Sequence, residues 1–171
     1  HRVQANGDVS IAISVDKKRS IVTSGPVRLR VEGDALVVEA AAQAEGARPT
    51  VTIVVDTLSA VSAQGMARVD VGPLHEKALA LDASGSSTIA LQKGKGVGAL
   101  SVDARGSSHV DADQVSASSV DATLADAARV EVWAVERVQC ALKKASRLTV
   151  KGHPKDVHKG VDGVARYVAV P

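Results

Sequence analysis

Phenylalanine is missing from this 171-residue chain, and tryptophan and tyrosine occur once each. An interior with so few rings must be built from Val, Ala, Leu and Ile, packed closely to compensate for the missing bulk. The one cysteine, Cys140, excludes a disulfide within the chain. No apolar run reaches the ~20 residues of a membrane-spanning helix. Charge of one sign is also scarce: the net value is +2, with acids and bases interleaved, too balanced to argue for nucleic acid or anionic lipid as partner, and no nucleic acid is expected. The chain starts at His1 without Met or a leader-like segment, so it is expected to be processed or trimmed.

What the chain does have is a repeat. Val61-x-Ala63-x-Gly65-x-x-x-Val69-x-Val71 is followed by Leu81-x-Ala83-x-Gly85-x-x-x-Ile89-x-Leu91 and Val102-x-Ala104-x-Gly106-x-x-x-Val110-x-Ala112. Ala122-x-Leu124-x-Asp126-x-x-x-Val130-x-Val132 and Cys140-x-Leu142-x-Lys144-x-x-x-Leu148-x-Val150 complete it, at steps of 20, 21, 20 and 18 residues. Apolar residues at alternate positions mark half-buried strands, and a fixed period marks a unit that buries its inner face by stacking on its own copies. Antiparallel hairpins and parallel coils both fit such a pattern. The columns decide for coils, because Val69, Ile89, Val110, Val130 and Leu148 place like on like.

The sequence therefore predicts an all-β fold: a right-handed parallel β-helix, or similar solenoid, with coils of about 20 residues. The bend in each copy falls on Gly65, Gly85, Gly106, Asp126 or Lys144. Glycine and Asp suit a left-handed bend, whereas Lys144 is expected to adopt a different backbone. Residues 1–50 read as an N-terminal β-strand cap packed on the solenoid. Residues 51–171 read as the repeats with a C-terminal closing strand, in one structural domain overall. Val51 to Val55 is expected to enter the first full repeat, after a loop from Ala40 to Pro49.

Outward positions beside the Val69 column carry Arg68, Thr88, His109, Arg129 and Arg147 on one side and Asp70, Ala90, Asp111, Glu131 and Thr149 on the other. Stacked, they form a basic ladder beside an acidic one. They read either as a solvated face of offsetting pairs (Arg68 with Asp70, His109 with Asp111, Arg129 with Glu131) or as a strip for a polysaccharide or protein ligand. Trp133 points outward near Lys151 and covers a seam or a subunit contact, or stacks on a sugar ring. The candidate binding residues are thus Arg68, His109, Asp111, Arg129, Glu131 and Trp133.

Asp82 and Asp103 sit one rung apart, where two like charges invite a cation; only Ser62 and Thr123 continue that column, short of the six oxygens calcium takes. No catalytic group, metal or cofactor is expected. Ser107-Ser108-His109 with Asp111 and Asp113 has the residue types of a hydrolase triad, but alternation turns Ser108 away from His109. His153 and His158 lack a third patterned metal ligand, and Lys93-Gly94-Lys95-Gly96 lacks the Gly-Lys-Ser/Thr of a phosphate loop. Cys140 lies in an inner column as a small buried hydrophobe.

The spacing Leu58-x-x-Val61-x-Ala63-x-Gly65, the turns at Gly85 and Gly106, and the closing Val150-x-Gly152-x-Pro154-x-x-Val157 with later glycines resemble the head GIN domain family of putative autotransporter adhesins. The likeness runs from Val9 to the terminal strand. It implies a bacterial envelope or surface protein whose β-helix is similar to that of pectin lyases without their catalytic residues, and an adhesin-like role. A periplasmic, outer-membrane-associated or extracellular location is implied, with any secretion or lipoprotein signal removed. The partners expected are a surface polysaccharide, an envelope protein or another copy of the chain. A polysaccharide lyase or hydrolase on the same scaffold is the alternative, and an envelope sensor domain a further one.

Overall fold

The computed structural model describes residues 1–41 and 48–171, and every regular element in them is a strand. The expected loop from Ala40 to Pro49 lies mostly outside the described residues. In chain order come β1 (Arg2–Asn6), β2 (Ser10–Val15), β3 (Ser20–Ser24), β4 (Val27–Glu32), β5 (Ala35–Ala40) and β6 (Thr50–Val55). The repeats supply β7 (Ala60–Gln64), β8 (Arg68–Val71), β9 (His75–Ala83), β10 (Thr88–Leu91) and β11 (Gly96–Ala104). Then follow β12 (His109–Leu124), β13 (Arg129–Leu142), β14 (Arg147–Lys151), β15 (Asp156–Val161) and β16 (Arg166–Val170). Both β12 and β13 continue around a corner, so each closes one coil and opens the next.

The arrangement is a parallel β-helix. One wall stacks β5, β1, β7, β9, β11, β12, β13 and β15; the other stacks β6, β2, β8, β10, β12, β13, β14 and β16, all parallel. Val69 pairs with Ile89, Ile89 with Val110, Val110 with Val130 and Val130 with Leu148. All five are at most 1% exposed, so the aliphatic columns are the core. Inward alternation also buries Ser87 and Ser108, whose hydroxyls donate to the Ala63 and Ala83 carbonyls of the preceding coil at 2.9 and 3.2 Å. That satisfies polar groups that would otherwise destabilise the interior.

Two expectations are corrected. The first concerns the N-terminal section, which supplies more than a cap. β3 and β4 do close that end, running antiparallel on β6 and β5. They leave Ile21, Val22, Leu29 and Val31 exposed. β1 and β2, however, lie inside the stack: Val3 and Ala5 pair with Val61 and Ala63, and Ile11 and Ile13 with Val69 and Val71. Val3-x-Ala5-x-Gly7-x-x-x-Ile11-x-Ile13 is a sixth copy of the unit, parted from the rest by the cap. β6 accordingly stacks on β2, with Val51 on Ile11 and Ile53 on Ile13, and does not adjoin β8. The reason is shared alternation: an edge lined with Ile11 and Ile13 accepts any strand that presents Val or Ile at the same spacing.

The second concerns Lys144, whose φ of 61° is the bend of Asp126 at 64°, Gly106 at 74° and Gly85 at 76°. A left-handed non-glycine residue costs ~1–3 kcal/mol, and unpaired ladder groups would cost as much. The neighbouring coil holds Lys144 in place: Lys143 N–H donates to Leu124 O at 2.9 Å and Ala145 N–H to Asp126 O at 2.8 Å. The Lys144 ammonium also reaches the Asp126 carboxylate.

The last coil described departs from the aliphatic columns. Lys159 takes the inner-column place above Cys140, and its ammonium lies 4.6 Å from the centre of the Tyr167 ring.

Candidate functional site

The outward columns of the second wall are in register. Thr88 pairs with Arg68 and with His109, His109 with Arg129, Arg129 with Arg147, and Arg147 with Arg166. Two residues along each strand, Asp111 pairs with Glu131 and Glu131 with Thr149. Adjacent rungs are ~4.8 Å apart and the two columns ~7 Å apart, so the basic strip is one side chain wide. Arg166 belongs to it although it lies outside the five copies; the 19-residue step from Arg147 in the closing coil is the signal that would have found it.

The offsetting pairs form only in part. Arg68 Nε approaches Asp70 Oδ2 at 3.4 Å. Among the described residues His109 and Asp111 make no ion pair, nor do Arg129 and Glu131; the other arginine pairs of the repeats are Arg105 with Asp103 and Arg137 with Asp156. Arg129, Arg147 and Arg166 are exposed and line one shallow hollow with Ala145 and Val164. Asp126, the carboxylate at the neighbouring bend, is taken by Lys144, and that contact holds its pKa below the ordinary value.

Trp133 faces outward, 37% exposed, opposite Lys151 on the next rung. The Lys151 ammonium lies 5.4 Å from the ring centre and 4.0 Å from Asp113 Oδ2. A side chain at Gly152 would meet the indole at 2.9 Å, so the ring rests on that glycine. The sequence placed Trp133 beside Lys151; the Asp113 contact depends on a register shift at the β12 corner that the period does not reveal.

On the other wall Asp82 and Asp103 are register partners. Arg105 grips Asp103 with two bonds of 2.9 Å, leaving Asp82 without such a partner. Burial, then the Asp103 charge, raises the Asp82 pKa above its ordinary 3.8. A carboxylate whose folded pKa is raised costs stability above that pKa, and the cost vanishes once both folded and unfolded forms are protonated. Asp82→Asn is therefore expected to raise the melting temperature by about 2 °C or less at pH 7. The gain should shrink as pH falls through the raised folded pKa toward 3.8 and be gone well below 3.8, and melting curves of both proteins across the acid range check it. Among the described residues no three His, Cys, Asp or Glu side chains gather in a metal-binding group.

The remaining sequence candidates do not assemble a reaction centre. Ser108 is buried and its hydroxyl is spent on Ala83 O, away from His109 on the outer face. His158 Nε2 contacts Asp156 at 2.9 Å. Lys95 N–H bonds to Leu74 O, which makes the Lys93–Gly96 bend part of the stack. Cys140 is buried, and burial pushes its thiol pKa up, away from the reactive thiolate. No helix of the described residues is long and apolar enough to cross a membrane.

Solved structures share this fold. A putative adhesin from Bacteroides fragilis NCTC 9343 matches with a TM-score of 0.76 at 18% identity, over 99% of this chain and 91% of its own. A putative adhesin from Parabacteroides merdae ATCC 43184 matches with a TM-score of 0.57 at 14% identity, over 99% and 91%. A putative lipid binding protein from Parabacteroides distasonis ATCC 8503 gives 0.54 at 12%, over 99% and 92%. At such identities the likeness concerns the fold alone. No curated protein matches the chain. Residues 1–154, which hold the cap, the displaced first copy and the five consecutive ones, match the family described as "Putative auto-transporter adhesin, head GIN domain", and the protein belongs to that family.

Proposed function

We propose that the chain is a non-catalytic binding module of the bacterial cell envelope or surface, and that the outer face of β8, β10, β12, β13, β14 and β16 is its contact surface. The observation that carries this reading is that Arg129, Arg147 and Arg166, on successive rungs, make no ion pair among the described residues. Like charges on adjacent rungs repel, and a solvated face selected only for stability offsets them, as Arg68 and Asp70 do. His109, Asp111, Glu131 and Trp133 flank the strip and would set its selectivity. Family membership and the adhesin neighbours support an adhesive role at a periplasmic, outer-membrane-associated or extracellular location.

A glycan array read beside lyase and hydrolase assays on the glycans that bind tests the proposal. Binding without turnover is expected. Turnover of any polymer would favour the second reading, a polysaccharide-active enzyme, for which one observation speaks. Asp82, with its raised pKa, lies beside Asp103 in a hollow that Arg2, Gln4 and Ser62 also line, and a carboxyl so shifted suits general acid work. In that case Asp82→Asn would abolish turnover and leave binding at the arginine face intact.

A further inference from the structure

We infer that the column Arg129, Arg147, Arg166, extended by His109, is a linear site for one strand of an acidic glycan that carries carboxylate or sulfate groups along its length. The inference rests on the binding role proposed above and names its ligand class.

Three observations carry it. The guanidiniums stand on consecutive coils in strict register, so they offer a planar, two-pronged donor to an oxyanion at each rung, ~4.8 Å apart. That interval is comparable to the advance of one sugar along an extended chain. All three are exposed, and among the described residues none of them is in an ion pair. The strip is also narrow. Asp111 and Glu131 border it on one side beside His109 and Arg129, giving way to Thr149 and Val168 beside Arg147 and Arg166, and the Asp126–Lys144 bend borders it on the other. A flat anionic membrane or a nucleic-acid duplex would press its charges onto those carboxylates, whereas a single polymer chain can follow the arginines alone. The overall charge of +2 is no obstacle, because the field is set by local spacing.

The test uses polygalacturonate and dextran sulfate, with neutral dextran and phosphatidylglycerol vesicles as comparisons. Arg129→Gln/Arg147→Gln/Arg166→Gln is set against Lys17→Gln/Lys18→Gln/Arg28→Gln, which removes the same charge from the other end. The unaltered chain is expected to bind an acidic glycan with affinity that falls as salt rises, and to ignore dextran. The ladder variant should lose about tenfold or more, and the control variant less than about threefold. Because these side chains are exposed and repel one another, the ladder variant should melt no lower than the parent at low salt, so lost binding cannot be laid to unfolding.

Equal losses in the two variants, binding of vesicles without either acidic glycan, or no binding of either acidic glycan would each overturn the inference. Should the array show a neutral glycan held equally by parent and ladder variant, the binding role stands and the arginine site falls. Should nothing on the array bind, both fall.

Discussion

Valine in place of Gly85 is expected to lower the melting temperature by about 10 °C, equivalent to ~3 kcal/mol at this chain length. The φ of 76° at Gly85 is closed to a β-branched residue without strain. A Cβ there would also stand 2.9 Å from Gly65 O on the preceding rung. The turns are themselves stacked: Ser86 N–H donates to Gly65 O and Ser107 N–H to Gly85 O, both at 2.8 Å, so relief of the clash must break ladder bonds. His109→Ala, on the outer surface, is expected to shift stability by less than ~0.5 kcal/mol. Gly85→Asn should fall between the two, since Asn tolerates left-handed backbone but keeps the Cβ. Thermal denaturation of the three variants checks the order, and equal shifts for Gly85→Val and His109→Ala would mean the turn is not where the stacked glycines place it.

A larger effect is expected from exchanging neighbours on β12. Val110 is fully buried between Ile89 and Val130, and Val110→Asp would bury a carboxylate with no partner. Such a group costs several kcal/mol even after it takes up a proton, and interior changes of that kind exceed ~4 kcal/mol. The variant is expected to lose cooperative unfolding altogether. Asp111→Val alters the adjacent residue on the opposite face, where Asp111 is half exposed and accepts only a long 3.4 Å bond from Asp113 N–H. Its cost should stay within ~1 kcal/mol. Circular dichroism and chemical denaturation of the pair separate the inward from the outward side of the wall by one residue.

These contrasts show which parts of the structure were legible in the residues. The columns through Ile89 and Val110 could be read directly, because period-2 alternation and a near-constant step leave only one register that buries both. The bend at Lys144 could not. Residue preference predicts departure from the glycine conformation, but the backbone there is held by Leu124 and Asp126 of the coil before it, a contact 18 residues away in sequence. The copy at Val3 to Ile13 has the spacing of the others, but the cap strands part it from Val61, so no constant step along the chain links it to them. At the candidate site, stacking of Arg129 on Arg147 followed from the period. That Arg129 and Glu131 would stay apart while Arg68 and Asp70 meet did not, since both pairs have the same spacing and only side-chain direction distinguishes them.

The central claim is that consecutive coils lie in parallel register, each aliphatic residue above its counterpart. Methyl–methyl nuclear Overhauser contacts in the isotope-labelled chain test it most directly. Cross-peaks are expected from Ile89 to Val69 and Val110, and from Val130 to Val110 and Leu148, with none between Ile89 and Leu148, three rungs or ~14 Å apart. A pattern that pairs these strands in antiparallel order, or that leaves Ile89 and Val110 without contact, would contradict the account.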